Sequence, residues 1–504
     1  MLLNQYINGH DDDVALKCKD GSMTYRALLS AVENLASWIT NHNAERVGIA
    51  FDNSFAWVIA DLACQQANVC CVPVPLFFTA SQQEHVLNES QCHFLLTNRG
   101  GELSEWSESP TVIDSEHDIV AHPLKHDSRV YTPVGTNKIT FTSGSTGSPK
   151  GVCLSTESQW KVAHSIERAV QPEIVNHLCL LPLSTLLENI AGVYAPLYHG
   201  GTVYLATACE RGFQGSKLVD PNALLSLIDR VQPSSVILVP DLLMVLVQAC
   251  NQGWTPPSSL MFIAVGGAHV APTLLAQAQA KGLPVFEGYG LSEAVSVSTL
   301  NTPNCNTMGS AGKTLGHNQL HIEEGEIVVT GNHFLGYLNQ PSSFYPTQVR
   351  TGDLGFFSDN TLTLNGRIKN IMVNSFGRNV SPEWIESLLL GTGLFRQALV
   401  YCEAKPYCVA LLVPASNTIS NTQIQSTVAL INKQLPDYAQ VVNFATIGLC
   451  TPENQLLTPT GKLKRDAIIA RYATDLDMLY QGQDQHQYSV QSTTAFSSQF
   501  VIKE

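Results

Sequence analysis

Short β-branched runs alternate with helix-like stretches through most of this chain, and no other feature restricts its fold as much. Arg46–Ala50 reads as a strand, Phe55–Gln66 as a helix, and residues 69–74 as a strand again. Residues 235–239 and 260–265 read as buried strands. Residues 273–280 read as a helix leading to a further strand at Pro284-Val285-Phe286. Strand–helix–strand units fold into parallel sheets covered by helices, so the fold class expected is α/β. With 504 residues the chain exceeds one ordinary core, and two or more domains are expected. No fixed-period repeat is visible.

The pattern changes around Thr351-Gly352-Asp353. Residues 325–330 and 361–364 read as short strands of a small β-rich subdomain. Beyond Gly366-Arg367 a second, α+β unit begins. Its helices are expected at 382–390 and 424–435, its strands at 397–400 and 409–413. Residues 481–498 are rich in Gln, Ser and Thr, the composition of a flexible tail.

A net charge of −14 argues against non-specific nucleic-acid binding, so no nucleic-acid partner is expected. The 13 cysteines are scattered, with Cys70-Cys71 the only close pair and no Cys-x-x-Cys. That usage suits buried thiols in a reducing compartment, not a disulfide framework or a zinc site. The N-terminus lacks a basic region followed by an apolar one. The most apolar run, 236–247, is broken by Pro240-Asp241 and is too short to span a bilayer. No integral membrane segment and a cytoplasmic location are therefore expected.

The segment Thr142-Ser143-Gly144-Ser145-Thr146-Gly147-Ser148-Pro149-Lys150-Gly151 follows the strand-like run Lys138-Ile139-Thr140-Phe141. It holds the ingredients of a phosphate cradle. Glycines let backbone N–H groups converge on an anion, hydroxyls donate further bonds, and Lys150 supplies charge. It is not the common P-loop, which ends in Gly-Lys followed by Ser or Thr. Here Pro149 precedes the lysine and Gly151 follows it. A Ser/Gly-rich surface turn has the same composition, so the segment alone leaves both readings open.

Five further segments decide between them. They are Val265-Gly266-Gly267-Ala268, Glu287-Gly288-Tyr289-Gly290-Leu291-Ser292-Glu293, Arg350-Thr351-Gly352-Asp353, Gly366-Arg367-Ile368-Lys369-Asn370 and Thr458-Pro459-Thr460-Gly461-Lys462-Leu463-Lys464-Arg465. With the loop they resemble, in order and from about Ala15 to Tyr472, the adenylate-forming superfamily. That superfamily holds acyl-CoA synthetases, peptide-synthetase adenylation domains and beetle-type luciferases. The resemblance implies a large N-terminal domain of mixed and parallel sheets over 1–366, including the β-rich subdomain. It further implies a hinge at 367–370, a small mobile α+β lid domain at 371–475, and a tail at 476–504.

It also implies roles. Two anions, a carboxylate and ATP, must meet, so the site has to neutralise charge and fix geometry. Ser143, Gly144, Ser145, Thr146, Gly147 and Lys150 would wrap the β- and γ-phosphates of ATP. Gly266, Gly267 and Ala268 would let backbone approach adenine, and Gly288 and Tyr289 would pack on it, the tyrosine by stacking. Ser292, where the family usually has Thr, would bond the α-phosphate. Glu293 would hold Mg²⁺, since a hard cation takes carboxylate and phosphate oxygens. Asp353 would accept the ribose hydroxyls, with Arg367 sharing them. Lys462 would bridge the attacking carboxylate and the α-phosphate. Lys369 matches the hinge about which the small domain rotates between half-reactions. Ser375-Phe376-Gly377-Arg378 would supply a glycine turn for the second step, with Arg378 on phosphate in the first. Each also has a plainer reading: a solvated lysine, a turn aspartate, an exposed glutamate, a tight turn.

The segment Leu181-Pro182-Leu183-Ser184-Thr185-Leu186-Leu187-Glu188 resembles the Leu-Pro-Leu-Ser-His-x-x-Glu stretch of long-chain fatty acyl-CoA synthetases, with Thr185 in place of His. Glu188 reads equally as a helix N-terminal acid. Residues 294–300 carry no Lys or Arg, and Ala294-Val295-Ser296-Val297-Ser298 suits an alkyl chain, although a core strand has the same pattern. The function expected is ATP-dependent activation of a fatty acid, with an aryl acid second, and transfer to CoA. The alternative acceptors are the phosphopantetheine of an acyl carrier protein or an amine. An inactive nucleotide-binding scaffold is the reading from another class; the retained Lys462, Glu293, Asp353 and loop argue against it.

Overall fold

The computed structural model describes residues 3–99, 110–125, 129–142, 149–173, 175–268, 270–458, 461–481 and 488–489. The chain divides between Asn365 and Gly366 into two compact units.

In the larger unit two sheets dominate the described residues, one of thirteen strands and one of eight. The parallel heart of the first runs through Thr202–Leu205, Asn176–Cys179, Ser235–Leu238, Phe262–Val265 and Val285–Leu291. The α/β class expected from the alternation is the one observed. Beyond Val285–Leu291 the sheet turns antiparallel, through Ser296–Leu300 and on to Thr361–Arg367, Val349–Ser358 and Glu326–Gly331. The strands expected to form a separate β-rich piece thus continue the large sheet. The strand expected at 284–286 runs through the glycines to Leu291. Those glycines serve close packing, since a Cβ on Gly290 would lie 1.8 Å from the Ser296 carbonyl oxygen.

The second sheet includes Arg46–Ala50, Cys70–Pro73, Lys138–Thr142 and Lys150–Leu154. The helix Phe55–Gln66 packs against it, started by the Ser54 hydroxyl, which accepts from the Trp57 N–H. Lys138 begins the strand that leads into the phosphate-cradle loop, and it is buried. Its ammonium lies 2.8 Å from Asp61 of that helix, both side chains 1 % exposed. It donates further to the Tyr194 hydroxyl at 2.8 Å and to Asn189. Asn189 and Tyr194 lie in the helical segment Glu188–Tyr194, so one buried cation ties three elements together.

All thirteen cysteines are free thiols. Burial pushes the Cys70 thiol well up, so it is an inert core side chain. Among the described residues no helix is long and apolar enough to cross a membrane.

The smaller unit carries Pro382–Leu390, Phe395–Tyr401, Cys408–Pro414, Asn421–Asn432 and Val441–Thr446, an α+β arrangement. The helix expected at 424–435 starts earlier, because Ser420 and Gln423 form a reciprocal capping box. Residues 476–481, expected in the tail, are helical. Helix Ala473–Gln481 crosses the boundary, because Leu476 and Leu479 are buried in the unit's core. Tyr488–Ser489 then pairs with Val441–Thr446.

Candidate active site

The Phe262–Val265 strand ends at Gly266, and its parallel neighbour Val285–Leu291 carries Gly288 and Tyr289. Gly266 has to be glycine, since a Cβ there would approach the Gly288 carbonyl oxygen to 2.8 Å. Gly267 takes φ +79°, and Ala268 is exposed beside it. The two strand ends therefore present adjacent backbone with few side chains.

Asp353 comes to the same place from a distant part of the chain. In Thr351-Gly352-Asp353 the Thr351 hydroxyl accepts from the Asp353 N–H at 3.0 Å, and Gly352 takes φ +71°. The Gly352 N–H donates to Glu326 at 2.8 Å. This local turn within the Val349–Ser358 strand aims the Asp353 carboxylate at Tyr289, whose hydroxyl donates to its Oδ2 at 2.8 Å. Both residues are buried.

Ser292 and Glu293 follow in the short helical turn Ser292–Ala294, closed by Val295 at φ +59°. Glu293 is half-buried. Its Oε1 accepts from the Tyr337 hydroxyl at 2.8 Å, and its backbone carbonyl accepts from the Phe334 N–H. Tyr337 was not foreseen. It lies on the two-residue strand Gly336–Tyr337, which pairs with the strand starting at Lys150. The Lys150 ammonium sits 5.6 Å from the centre of the Tyr337 ring, within cation–π range. Lys150 also opposes Thr142 in register, so the expected cradle spans the end of a hairpin. Ser143, Gly144, Ser145, Thr146 and Gly147 themselves lie outside the described residues.

The larger unit thus brings together Gly267, Gly288, Tyr289 and Asp353, and beside Tyr289 along the chain Ser292 and Glu293 with Tyr337 and Lys150. The smaller unit carries Arg367, Lys369, Arg378 and Lys462. Lys369 lies on the short turn Ile368–Asn370, just past the boundary between units. Arg378 follows a tight turn in which Gly377 has φ +71° and Asn374 accepts from the Phe376 and Arg378 N–H groups. Lys462 is exposed at the base of a loop closed by reciprocal bonds with Thr458, at 2.7 and 3.0 Å. Arg465 anchors the far end of that segment, with a bidentate pair to buried Glu386 at 2.7 and 2.8 Å.

The acyl-side segment divides. The Thr185 hydroxyl donates to the Pro182 carbonyl in a local turn. Glu188 is fully buried, with one oxygen 3.0 Å from His177 Nε2 and the other accepting from the Leu181 N–H. Cys179 joins these two in a cluster of metal-ligand type that spacing in the sequence did not disclose. His177 also bonds Ser235 and the Cys179 thiol donates to the Gly192 carbonyl, so the cluster is a hydrogen-bonded core that holds Leu181, at the start of the loop, through Glu188.

Glycine-edged parallel strand ends beside a tyrosine-held carboxylate lie at the carboxyl ends of an α/β sheet, where enzymes of this fold class bind ligands. The chain belongs to the AMP-binding enzyme family, whose model matches residues 3–338, with the AMP-binding enzyme C-terminal domain matching 369–484. It is thereby a member of the adenylate-forming superfamily. Among curated proteins it is similar to 2-succinylbenzoate–CoA ligase of Bacillus subtilis (strain 168), 26 % identical over 401 residues, 75 % of this chain and 79 % of that one. It is 24 % identical over 543 residues to the long-chain-fatty-acid–CoA ligase FadD15 of Mycobacterium bovis, covering 86 % and 88 %. Among solved structures, an anthranilate CoA ligase, AuaEII, in complex with anthranoyl-AMP shares the fold. Its TM-score is 0.77 at 18 % identity, over 94 % of this chain and 97 % of that one.

Proposed function

We propose that this enzyme joins an apolar carboxylic acid, a fatty acid first, to CoA through an acyl-adenylate. In the first step the carboxylate oxygen attacks the α-phosphorus of ATP and pyrophosphate leaves. In the second the CoA thiol attacks the acyl carbon, giving a thioester and AMP. The observation that carries this reading is the meeting of Tyr289 and Asp353, sixty-four positions apart, at one glycine-edged strand end.

Asp353 accepts the ribose hydroxyls and the Tyr289 ring packs on adenine, which fixes the nucleotide. Ser292 donates to the α-phosphate, while Lys150 and the loop before it hold the phosphates that leave. Mg²⁺ fits the donor set at Glu293, a half-buried carboxylate with one oxygen committed to Tyr337. The ion would supply charge neutralisation between the two reacting anions. Lys462 neutralises the incoming carboxylate. Lys369, on the turn just past the boundary between units, is the pivot for exchanging the two half-reactions, with Arg367 and Arg378 on either side of it in sequence.

The apolar choice of acid is supported by the run after Glu293. No Lys or Arg lies within 294–300 to receive a second carboxylate; Ala294, Val295 and Val297 themselves are packed in the core of the larger unit. CoA as acceptor is supported by the relatives' activities; a carrier protein is the alternative.

The test is pyrophosphate release with ATP, Mg²⁺ and a panel of fatty, aryl and dicarboxylic acids, followed by CoA or a carrier protein and mass analysis of the thioester. Release dependent on fatty acids is expected. No acid-dependent release would overturn the ligase reading. Release with dicarboxylic acids alone would overturn the apolar assignment.

A further inference from the structure

Tyr337 has no part in the functions assigned so far, yet it touches two groups that do. Its hydroxyl donates to Glu293 Oε1 at 2.8 Å, and the Lys150 ammonium lies over its ring. Three backbone features hold it there. Tyr337 pairs with Val152, two residues from Lys150 on the same strand and so on the same face. Its N–H donates to the Ser343 hydroxyl at 2.8 Å. The Phe334 N–H, three residues earlier, binds the Glu293 carbonyl. One short segment therefore fixes the backbone and the carboxylate of Glu293, and pairs with the strand on which the phosphate-cradle loop ends.

The donor direction is fixed as well. An ionised carboxylate oxygen can only accept, so the phenol hydroxyl donates. A carboxylate that takes a hard cation must present one oxygen in a set direction; with Oε1 committed to the phenol, Oε2 accepts no hydrogen bond among the described residues.

We propose that Tyr337 is a positioning residue for Glu293, orienting its carboxylate for the divalent cation. The hydroxyl preorganises the metal ligand, and the ring beneath Lys150 couples that ligand to the arm that grips the departing phosphates. The proposal rests on the assignment of Glu293 as the metal ligand.

The test measures ATP binding to the full-length protein by calorimetry, with Mg²⁺ and with chelator, for the wild type, Tyr337→Phe and Glu293→Gln. Tyr337→Phe keeps the ring and the Lys150 contact and removes only the hydroxyl. The expected result is that the Mg²⁺-dependent gain in ATP affinity falls about tenfold in Tyr337→Phe, while metal-free ATP affinity is unchanged. A purely structural role would weaken both alike, and that outcome overturns the proposal. If Glu293→Gln loses the gain and Tyr337→Phe keeps it in full, positioning by Tyr337 is wrong and the metal assignment stands. If Glu293→Gln keeps the gain, the metal assignment and the proposal fall together.

Discussion

The Tyr289 hydroxyl donates to Asp353 Oδ2 at 2.8 Å, joining two buried side chains from strands that do not neighbour each other in the sheet. The bond holds a carboxylate in place before any nucleotide arrives. A carboxylate accepting from both ribose hydroxyls makes charge-assisted bonds of about 1.5–3 kcal/mol. Asp353→Ala is therefore expected to weaken ATP binding about 10- to 100-fold by calorimetry. Tyr289→Phe removes the tether and keeps the ring, so a few-fold loss is expected. Equal affinity in wild type and Asp353→Ala would refute the ribose assignment.

The glycines around Tyr289 make a separate, steric prediction. A Cβ on Gly290 would lie 1.8 Å from the Ser296 carbonyl oxygen and 2.6 Å from its carbon, where two antiparallel strands cross. Backbone on both strands would have to move. Gly290→Ala should lose about 2–3 kcal/mol of stability in urea unfolding. Gly316, with nothing within 4 Å of its added Cβ, is the control, and Gly316→Ala should unfold like the wild type.

The buried Lys138–Asp61 pair gives a third. Lys138→Met leaves Asp61 buried without its cation, bonded to Tyr194, Asn189 and Cys71. Breaking such a pair costs about 3–5 kcal/mol. The double variant Lys138→Met with Asp61→Asn should recover much of that, because no unpaired charge remains. A urea midpoint for the double variant as low as for Lys138→Met would argue that packing, not charge, dominates.

These residues mark where sequence was informative. Tyr289, Asp353, Glu293 and Lys462 stand in short segments that resemble, in order, those of the adenylate-forming superfamily, so roles could be proposed for them before the fold. Tyr337 could not. It is one tyrosine in an unremarkable stretch, and the pairing of Gly336–Tyr337 with Lys150–Leu154, together with the Phe334 N–H bond to the Glu293 carbonyl, brings it to Glu293. Lys138 opened a strand-like run with no sign that its charge would be buried. Both depend on contacts between positions more than forty residues apart, which periodicity does not encode. The strand through Gly288 and Gly290 was missed for the opposite reason: glycine weakens local strand propensity, and tertiary packing overrode it.

Glu287 carries the last prediction. It lies two residues before Tyr289, on the same face of the strand by alternation, and its carboxylate has no hydrogen-bond partner among the described residues. Burial pushes its carboxyl from the ordinary 4.5 up to about 8. Between those values the folded protein holds a proton that the unfolded chain has released. Stability from this group is therefore complete below 4.5 and is lost as pH rises through about 8. The slope is at most about 1.4 kcal/mol per pH unit. Glu287→Gln, neutral throughout, should remove this part of the pH dependence and unfold at higher urea than the wild type above pH 8. Urea midpoints measured across that range for both proteins decide it; parallel curves would mean that Glu287 ionises in the folded state. A proton on Glu287 also keeps a second negative charge away from the Tyr289–Asp353 end of the strand, where ATP brings its own. Glu287→Gln should then leave ATP affinity at neutral pH unchanged, whereas Glu287→Asp, a shorter acid with less apolar cover, should weaken it as pH rises.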